Sequence, residues 1–324
     1  MNKTIDLLAI GDPCADVVIR TERVPVWDDK CIGSAAGLYA GGTEANVACA
    51  ASRLGLATAM FGQVGDDSHA PFLLDEFTRF GVDSSLMMRR SGTPSATTVI
   101  LVSPQGERAL VWVPMPPGAR APEQLDAALQ RSRIAYTMPY DEAELAALAD
   151  AAHRSGTQLA IDVEREGAKR PGALQRLLRH CDIAFMNETG FTTAMGCAPS
   201  ADGLRALHAG GRAHTIVVTL GARGALAIDR HGVATQPAFP AQVVDTTGAG
   251  DTFNAAFLAA RCLELDLNQA LAFGCAAASK TVAVIGARSG LPTRDEVQAL
   301  LVRALLRSDT SPSPLPSTTT SPPN

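Results

Sequence analysis

Short apolar runs alternating with amphipathic stretches constrain this chain's fold more than any other feature. IDLLAIG (residues 5–11), ATAMFGQVG, RIAYTM, TQLAIDV, DIAFMN and HTIVVTLG are each long enough for one buried strand. Between most of them lie patterns with helical spacing, among them EANVACAASRLG, DEAELAALADAAHRSG and PGALQRLLRH. Parallel strands need such crossovers, and strands apolar on both faces need cover on both sides. The expected class is therefore α/β, a three-layer α/β/α arrangement around a mainly parallel sheet, with ligands gathering at the carboxyl ends of its strands. With 324 residues, 46% of them hydrophobic, the chain can bury the core of one large domain.

Two stretches break the rhythm. DVVIRTERVPVWDDKCIGSAAGLYA and SATTVILVSPQGERALVWVP have strand character with no helix between, and Ser103-Pro104-Gln105-Gly106 is a hairpin signal. Residues of about 14–40 and 95–115 are thus expected to form a small β-sheet, either a lid over a site or an ordinary edge hairpin. The folded domain is expected to span residues 1–307. From 308 to 324 nearly every residue is Ser, Thr or Pro, a composition expected to stay disordered.

Several functions are disfavoured. A net charge of −5 without a basic stripe argues against nucleic acid as a partner. Seven cysteines with no CxxC spacing suit a reducing compartment better than a disulfide framework or zinc site. The start, MNKTIDLLAIGD, reads as a first strand and not a signal peptide, and no apolar run is long enough to span a membrane, so a cytoplasmic location is expected. His153, His208, His214 and His231 have no metal-ligand spacing. The string from Gly274 to Thr281 differs from a P-loop by Ser279 at the second glycine, and it continues a helical pattern.

The strongest chemical signal is Asp245-Thr246-Thr247-Gly248-Ala249-Gly250-Asp251, running into the amphipathic helix TFNAAFLAARCLEL. Gly248 and Gly250 let the backbone turn sharply and aim the unpaired amides of a helix N-terminus at an anion. Asp251, in the first turn, would lie beside a transferred phosphoryl group and could take a proton from an attacking hydroxyl. A short string of this kind is also what an N-capped helix with a glycine-rich entry looks like.

DTTGAGD resembles the C-terminal signature of the ribokinase-like, or PfkB, carbohydrate kinases. Gly41-Gly42-Thr43-Glu44-Ala45-Asn46-Val47-Ala48 resembles the first signature, GGxxxNxA, and the likeness covers residues 5–303. GDPCAD, GQVGDD, FGVD, PQGERAL and TLGARGA fall in the family's order. The resemblance implies ATP-dependent phosphorylation of a hydroxyl, usually primary, on a small-molecule sugar, with Mg2+ as the metal. Asp251 would be the base, with Gly248, Ala249 and Gly250 forming the anion hole and the free amides of Ala249, Gly250 and Asp251 offsetting charge on the moving phosphoryl group. Asp12, Asp16, Gly41, Gly42 and Asn46 would bind the sugar, with both aspartates placed at the end of the first strand. Asn187, Thr219, Gly221 and Gly224 would bind the nucleotide, while Asp245 and Thr247 would flank a monovalent-cation site, which makes potassium a candidate activator.

One position departs from the pattern. Asn187 matches the start of the family's NxxE element, whose Glu organises the metal's water shell, but Gly190 stands at the Glu position. Either Glu188 or another carboxylate substitutes, or the magnesium is held mainly by ATP and water. Lys30, Arg108 and Arg165 are candidates for clamping a phosphorylated or sulfonated acceptor. Val17, Val18, Ile19, Val111 and Val113 allow a homodimer through the lid, or could form its inner face. Two alternatives stay open: a nucleoside kinase of the same fold, and a catalytically weak sugar-binding regulatory protein, which Gly190 alone supports.

Overall fold

Strand β1 (Ile5–Ile10) runs through the heart of the main sheet in this structure, a computed structural model that describes residues 3–118 and 120–309. The chain leaves the sheet through β2 (Cys14–Thr21) and β3 (Gly33–Gly41), then returns as β4 (Thr58–Val64) and β5 (Met87–Arg89). A second excursion, β6 (Ala96–Val102) and β7 (Arg108–Val113), precedes β8 (Ser132–Thr137), β9 (Gln158–Val163), β10 (Ile183–Asn187) and β11 (Thr215–Thr219). A hairpin of β12 (Ala225–Asp229) and β13 (Gly232–Gln236) ends the strands. The nine-stranded sheet has the order β13-β12-β11-β10-β9-β8-β1-β4-β5, parallel from β11 through β5 and antiparallel at β11–β12 and β12–β13.

Alternation along each strand feeds two separate cores. Leu7, Met60, Tyr136, Phe185 and Val217 meet the alanine-rich helices Thr43–Arg53, Ala249–Cys262 and Leu267–Thr281 on one face. Leu8, Phe61, Ala135, Ile161 and Ile216 meet a second core containing Leu145, Leu174, Phe191 and Leu204 on the other. Small side chains allow the first group of helices to lie close to the strands. Phe257 then fills the seam, its ring edge-on to Phe185 at 5.5 Å between centroids. This is the α/β three-layer arrangement expected from the sequence. The string Gly274–Thr281 lies inside the helix Leu267–Thr281, where its core-helix reading places it.

The small sheet is separate, ordered β3-β2-β6-β7. Its hairpin turn forms at the Ser103–Gly106 signal, with the Gly106 amide donating to the Ser103 carbonyl at 2.9 Å and Gly106 at φ 84°. Three local expectations differ. The β5 edge and the β12–β13 hairpin were not among the expected strands, and PGALQRLLRH yields only the short helix Ala173–Leu177. The last helix, Arg294–Asp309, runs two residues beyond the expected domain boundary. The remainder of the expected tail, 310–324, lies outside the described residues.

Candidate active site

The helix Ala249–Cys262 begins at Gly248, whose φ of 75° is the left-handed conformation that glycine tolerates. A Cβ there would come within 2.7 Å of the Ala287 backbone, so close packing and turn geometry both require glycine. The Ala249 amide donates to the Thr246 carbonyl at 3.2 Å and is therefore committed to the turn, a correction to the expected set of three free amides. Among the described residues no group accepts from the amides of Gly250 and Asp251. A Cβ built at Gly250 would meet nothing within 4 Å. An anion would therefore find two free amides and an open approach at the positive end of the helix.

Asp251 joins the two ends of the chain. Its Oδ2 accepts from Asn46 Nδ2 at 2.7 Å, across 205 residues of sequence. Burial, together with the nearby carboxylates of Asp162 and Glu164, pushes its pKa up to about 7, although Asn46 and Arg288 oppose the rise. The residue keeps an edge open to solvent, which suits a group that must exchange protons. Beneath it, Asn254 of the same helix donates to Asp162 Oδ2 at 2.9 Å, and buried Tyr136 donates to the same oxygen at 3.3 Å. Asp162 is itself pushed up to about 6 by burial and by Glu164.

The expected sugar-side residues cluster near Asp251, with one correction. Asp12 follows β1, but Asp16 belongs to β2, the first strand of the small sheet, opposite Thr98 of β6. Burial raises the Asp16 pKa, while hydrogen bonds from Thr98 and Cys14 and the charge of Arg288 hold it down. Gly41 leaves room for Asp16, because a Cβ would fall 2.2 Å from Asp16 Oδ2 and force that carboxylate or its strand to shift. Gly42, at φ 92°, packs against the Asp12 backbone and leads into the helix carrying Asn46. Asp12 Oδ1 accepts from the Gln63 amide at 2.9 Å and faces the Arg120 guanidinium at 3.3 Å.

The expected nucleotide-side residues lie along the same edge of the sheet. Asn187 and Thr219 are paired at the carboxyl ends of adjacent parallel strands β10 and β11. Asn187 caps the helix Glu188–Met195, its Oδ1 accepting from the Gly190 amide at 2.7 Å. Gly221 and Gly224 bracket a 3-10 turn, and a Cβ on Gly224 would strike the Gln236 carbonyl at 1.9 Å. Glu188 is ion-paired with Arg223 of that turn. A side chain at Gly190 would begin 2.9 Å from the Val163 carbonyl.

Asp245 and Thr247 are together, hydrogen-bonded to each other. Asp245 Oδ1 accepts from the Thr247 amide and hydroxyl at 2.9 and 2.7 Å, and Oδ2 accepts from the Gly286 amide at 2.9 Å. These hydrogen bonds and the nearby Arg108 outweigh burial and hold the Asp245 carboxyl below the usual range. Arg108, from the small sheet, donates to the hydroxyls of Thr246 and Thr247 and stands 3.8 Å from Asp245. Of the three clamp candidates, only Arg108 is brought to this turn by the structure's hydrogen bonds. Lys30 lies in an exposed loop, and Arg165 is exposed at the start of a short helix. Arg120 beside Asp12 and buried Arg288 behind Asn46 were missed, since nothing in their local strings marks them as site residues.

A glycine-led helix start that carries an aspartate in its first turn, at a mainly parallel sheet with a separate small sheet beside it, is the arrangement expected of an α/β phosphotransferase. The model of the pfkB family carbohydrate kinases matches residues 4–294, and the chain belongs to that family. It is 29% identical to the ribokinase of Bacillus subtilis over 91% of this chain and 99% of that protein. It is 30% identical to the fructoselysine 6-kinase of Escherichia coli over 87% and 98%. The structure of Arabidopsis thaliana ribokinase complexed with ribose and ATP superposes with a TM-score of 0.81 at 28% identity, covering 93% of this chain and 99% of that one. The protein is a carbohydrate kinase that uses ATP to phosphorylate a sugar or sugar derivative. Among the described residues no helix is long and apolar enough to cross a membrane.

Proposed function

We propose that Asp251 is the general base of this kinase, accepting the proton of a sugar hydroxyl as that oxygen attacks the γ-phosphorus of ATP in line. The observation that carries this reading is the placement of a carboxylate with a pKa near 7 in the first turn of a helix whose neighbouring amides are free. A base works best when its pKa lies near the working pH. The proton moves to Asp251, the new O–P bond forms, and the bond to the ADP leaving oxygen breaks. The Gly250 and Asp251 amides offset charge on the moving phosphoryl group. A primary hydroxyl is the favoured acceptor, as the family resemblance implies. Asp12, Asp16 and the Gly41–Gly42 backbone would hold the other hydroxyls, and Asn187, Thr219, Gly221 and Gly224 would lie along the nucleotide.

Magnesium fits this site as a companion of ATP rather than as a resident of a protein cage. Glu188 is ion-paired with Arg223, Gly190 offers no side chain, and no cluster of three metal-ligating side chains occurs among the described residues. Mg2+ commonly keeps several waters and binds through substrate phosphates, so the bound ion would neutralise phosphate charge. Potassium would meet Asp245 and Thr247 at this turn, where Arg108 already brings a positive charge that a bound cation would displace. Val111 and Val113, about half or more exposed on the edge strand β7, support a homodimer through the small sheet.

The deciding experiment is acceptor-dependent ADP release with Mg-ATP, using ribose, fructoselysine, 5-dehydro-2-deoxygluconate and nucleosides, for the wild type and Asp251→Asn. One strong sugar acceptor whose turnover disappears in the variant supports the reading. Near-normal turnover in the variant overturns it.

A further inference from the structure

The network that reaches Asp251 extends one residue beyond Asn46. Arg288 follows the helix Leu267–Thr281 and is only 6% exposed, which is rare for arginine. Its Nε donates to Asn46 Oδ1 at 2.8 Å and its Nη2 to the Gly41 carbonyl at 2.8 Å. Nη1 is buried without a hydrogen-bond partner, and the guanidinium carbon lies 5.9 Å from the centre of the Phe77 ring. The loop that carries it is tied to the glycine-rich turn twice, by the Gly286 amide on Asp245 and by Ala287 packed under Gly248.

A guanidinium has donors only, so the Asn46 atom that faces it must be the amide oxygen. The amide nitrogen is then turned toward Asp251, where it donates to Oδ2. Without the arginine, a side-chain amide beside a carboxyl group could present either end, depending on whether that group was protonated. Arg288 removes this freedom and favours the carboxylate form, the one able to accept a proton.

We propose that Arg288 is a positioning residue for phosphoryl transfer: by locking the Asn46 amide in one orientation, it fixes Asp251 Oδ2 and leaves the other carboxylate oxygen to receive the acceptor's proton. This rests on reading Asp251 as the base. Other charged or titratable groups act on the same assembly. Asp162 and Glu164 from the end of β9 and Tyr136 from β8 surround Asp251, while Asp16 of β2 and Cys49 of the helix Thr43–Arg53 feel the charge of Arg288. Arg288 is thus a cation set against several carboxylates, and its removal moves the protonation of Asp251 to higher pH.

The test compares Arg288→Met, Arg288→Lys, Asn46→Ala and the Arg288→Met/Asn46→Ala double variant. Each is followed by the pH profile of kcat/KM, the KM for ATP and thermal unfolding. Arg288→Met is expected to move the acidic limb up by about one pH unit, a loss of about tenfold on that limb, with the KM for ATP within about twofold of wild type. Arg288→Lys keeps the charge but loses the fork, so it should restore the limb's position without restoring the plateau rate. The double variant should be no slower than Asn46→Ala alone, because both changes cut one relay. Additive losses, or a uniform loss at every pH that tracks a fall in Tm, would overturn the proposal. The carboxyl resonance of Asp251, labelled with carbon-13 and assigned with Asp251→Asn, gives a readout without turnover. An upward shift of its titration in Arg288→Met supports the relay even if no acceptor is found, whereas wild-type inactivity across the acceptor panel would count against the kinase reading alone. An unmoved titration sinks the relay.

Discussion

Two arginines approach the glycine-rich turn from opposite sides, and they are built for different degrees of permanence. Arg288 is buried, its planar fork engaged by a backbone carbonyl and an amide. Arg108 comes from the small sheet, its side chain 37% exposed, and holds only two threonine hydroxyls and the rim of Asp245. Breaking a buried charged network costs several kcal/mol, whereas an exposed ion pair contributes about 0.2–1 kcal/mol. The Arg288 side is therefore a floor that holds geometry through every turnover. The Arg108 side, if the small sheet acts as a lid, is weak enough to serve as a latch made and broken while substrates enter and leave.

The centre shared by floor and latch should show the largest effect. Asp251→Asn keeps the shape and an acceptor for Asn46 but removes the proposed base, so kcat should fall by about 10²–10⁴ with sugar and ATP binding near wild type. Isothermal titration alongside rates would separate the two. With Asp251 as the proposed base, kcat/KM of the wild type should decline as pH falls through about 7, since only its carboxylate form accepts a proton. A profile flat down to pH 5 would place the base elsewhere.

Next in size is a change to the floor alone. Gly41→Ala would press a methyl onto Asp16 Oδ2, where the built distance is 2.2 Å, so either β2 or the carboxylate must shift. A displacement of this kind can cost about a hundredfold in kcat/KM for the sugar. The KM for ATP should stay within about twofold, since the nucleotide-side strands β10 and β11 are not involved. Equal damage to both substrates would mean that floor and nucleotide edge are not independent.

The layered sheet was legible because strand and helix periods alternate in nearly every segment, and two cores follow from that alternation. The glycine positions at 41, 42, 248 and 224 could be chosen from their strings, and in the structure each sits where a Cβ would meet a neighbour at 3.2 Å or less. What the strings could not supply was pairing across distance. Arg288 looks like any arginine after an alanine-rich helix, and its role depends on Asn46, 242 residues earlier. Arg120 reaches Asp12 from a segment with no regular structure. The direction of the Ala249 amide escaped for a local reason, since a turn hydrogen bond to Thr246 cannot be told from a free helix-end amide by residue type.

The latch predicts a smaller and different response. Arg108→Met removes the contact to Thr246, Thr247 and Asp245 but no core packing, so thermal stability should change by less than about 1 kcal/mol. The effect should be kinetic: a few-fold rise in sugar KM and in the sugar-independent ATPase rate, because a lid that fails to close admits water. Stopped turnover with unchanged substrate affinity would instead place Arg108 on the moving phosphoryl group.

The smallest expected effect concerns the floor's own titration. Glu44, in the helix after Gly42, is 5% exposed, and its Oε1 accepts from the Met138 amide at 3.1 Å. Burial pushes its pKa up to about 7 from 4.5, so the folded state binds this proton more tightly than the unfolded chain does. The stability it contributes is fully present below about pH 4.5 and is lost as pH rises to about 7, because the charged form must then be buried. Glu44→Gln keeps an acceptor for Met138 and cannot ionise, so Tm should fall less steeply between pH 5 and 7 than in wild type. The slope should shrink without vanishing, since Asp251 and Asp162 are raised in the same sense. The same slope in both proteins would mean that solvent reaches Glu44, and that the floor is less dry beside Gly42 than around Arg288.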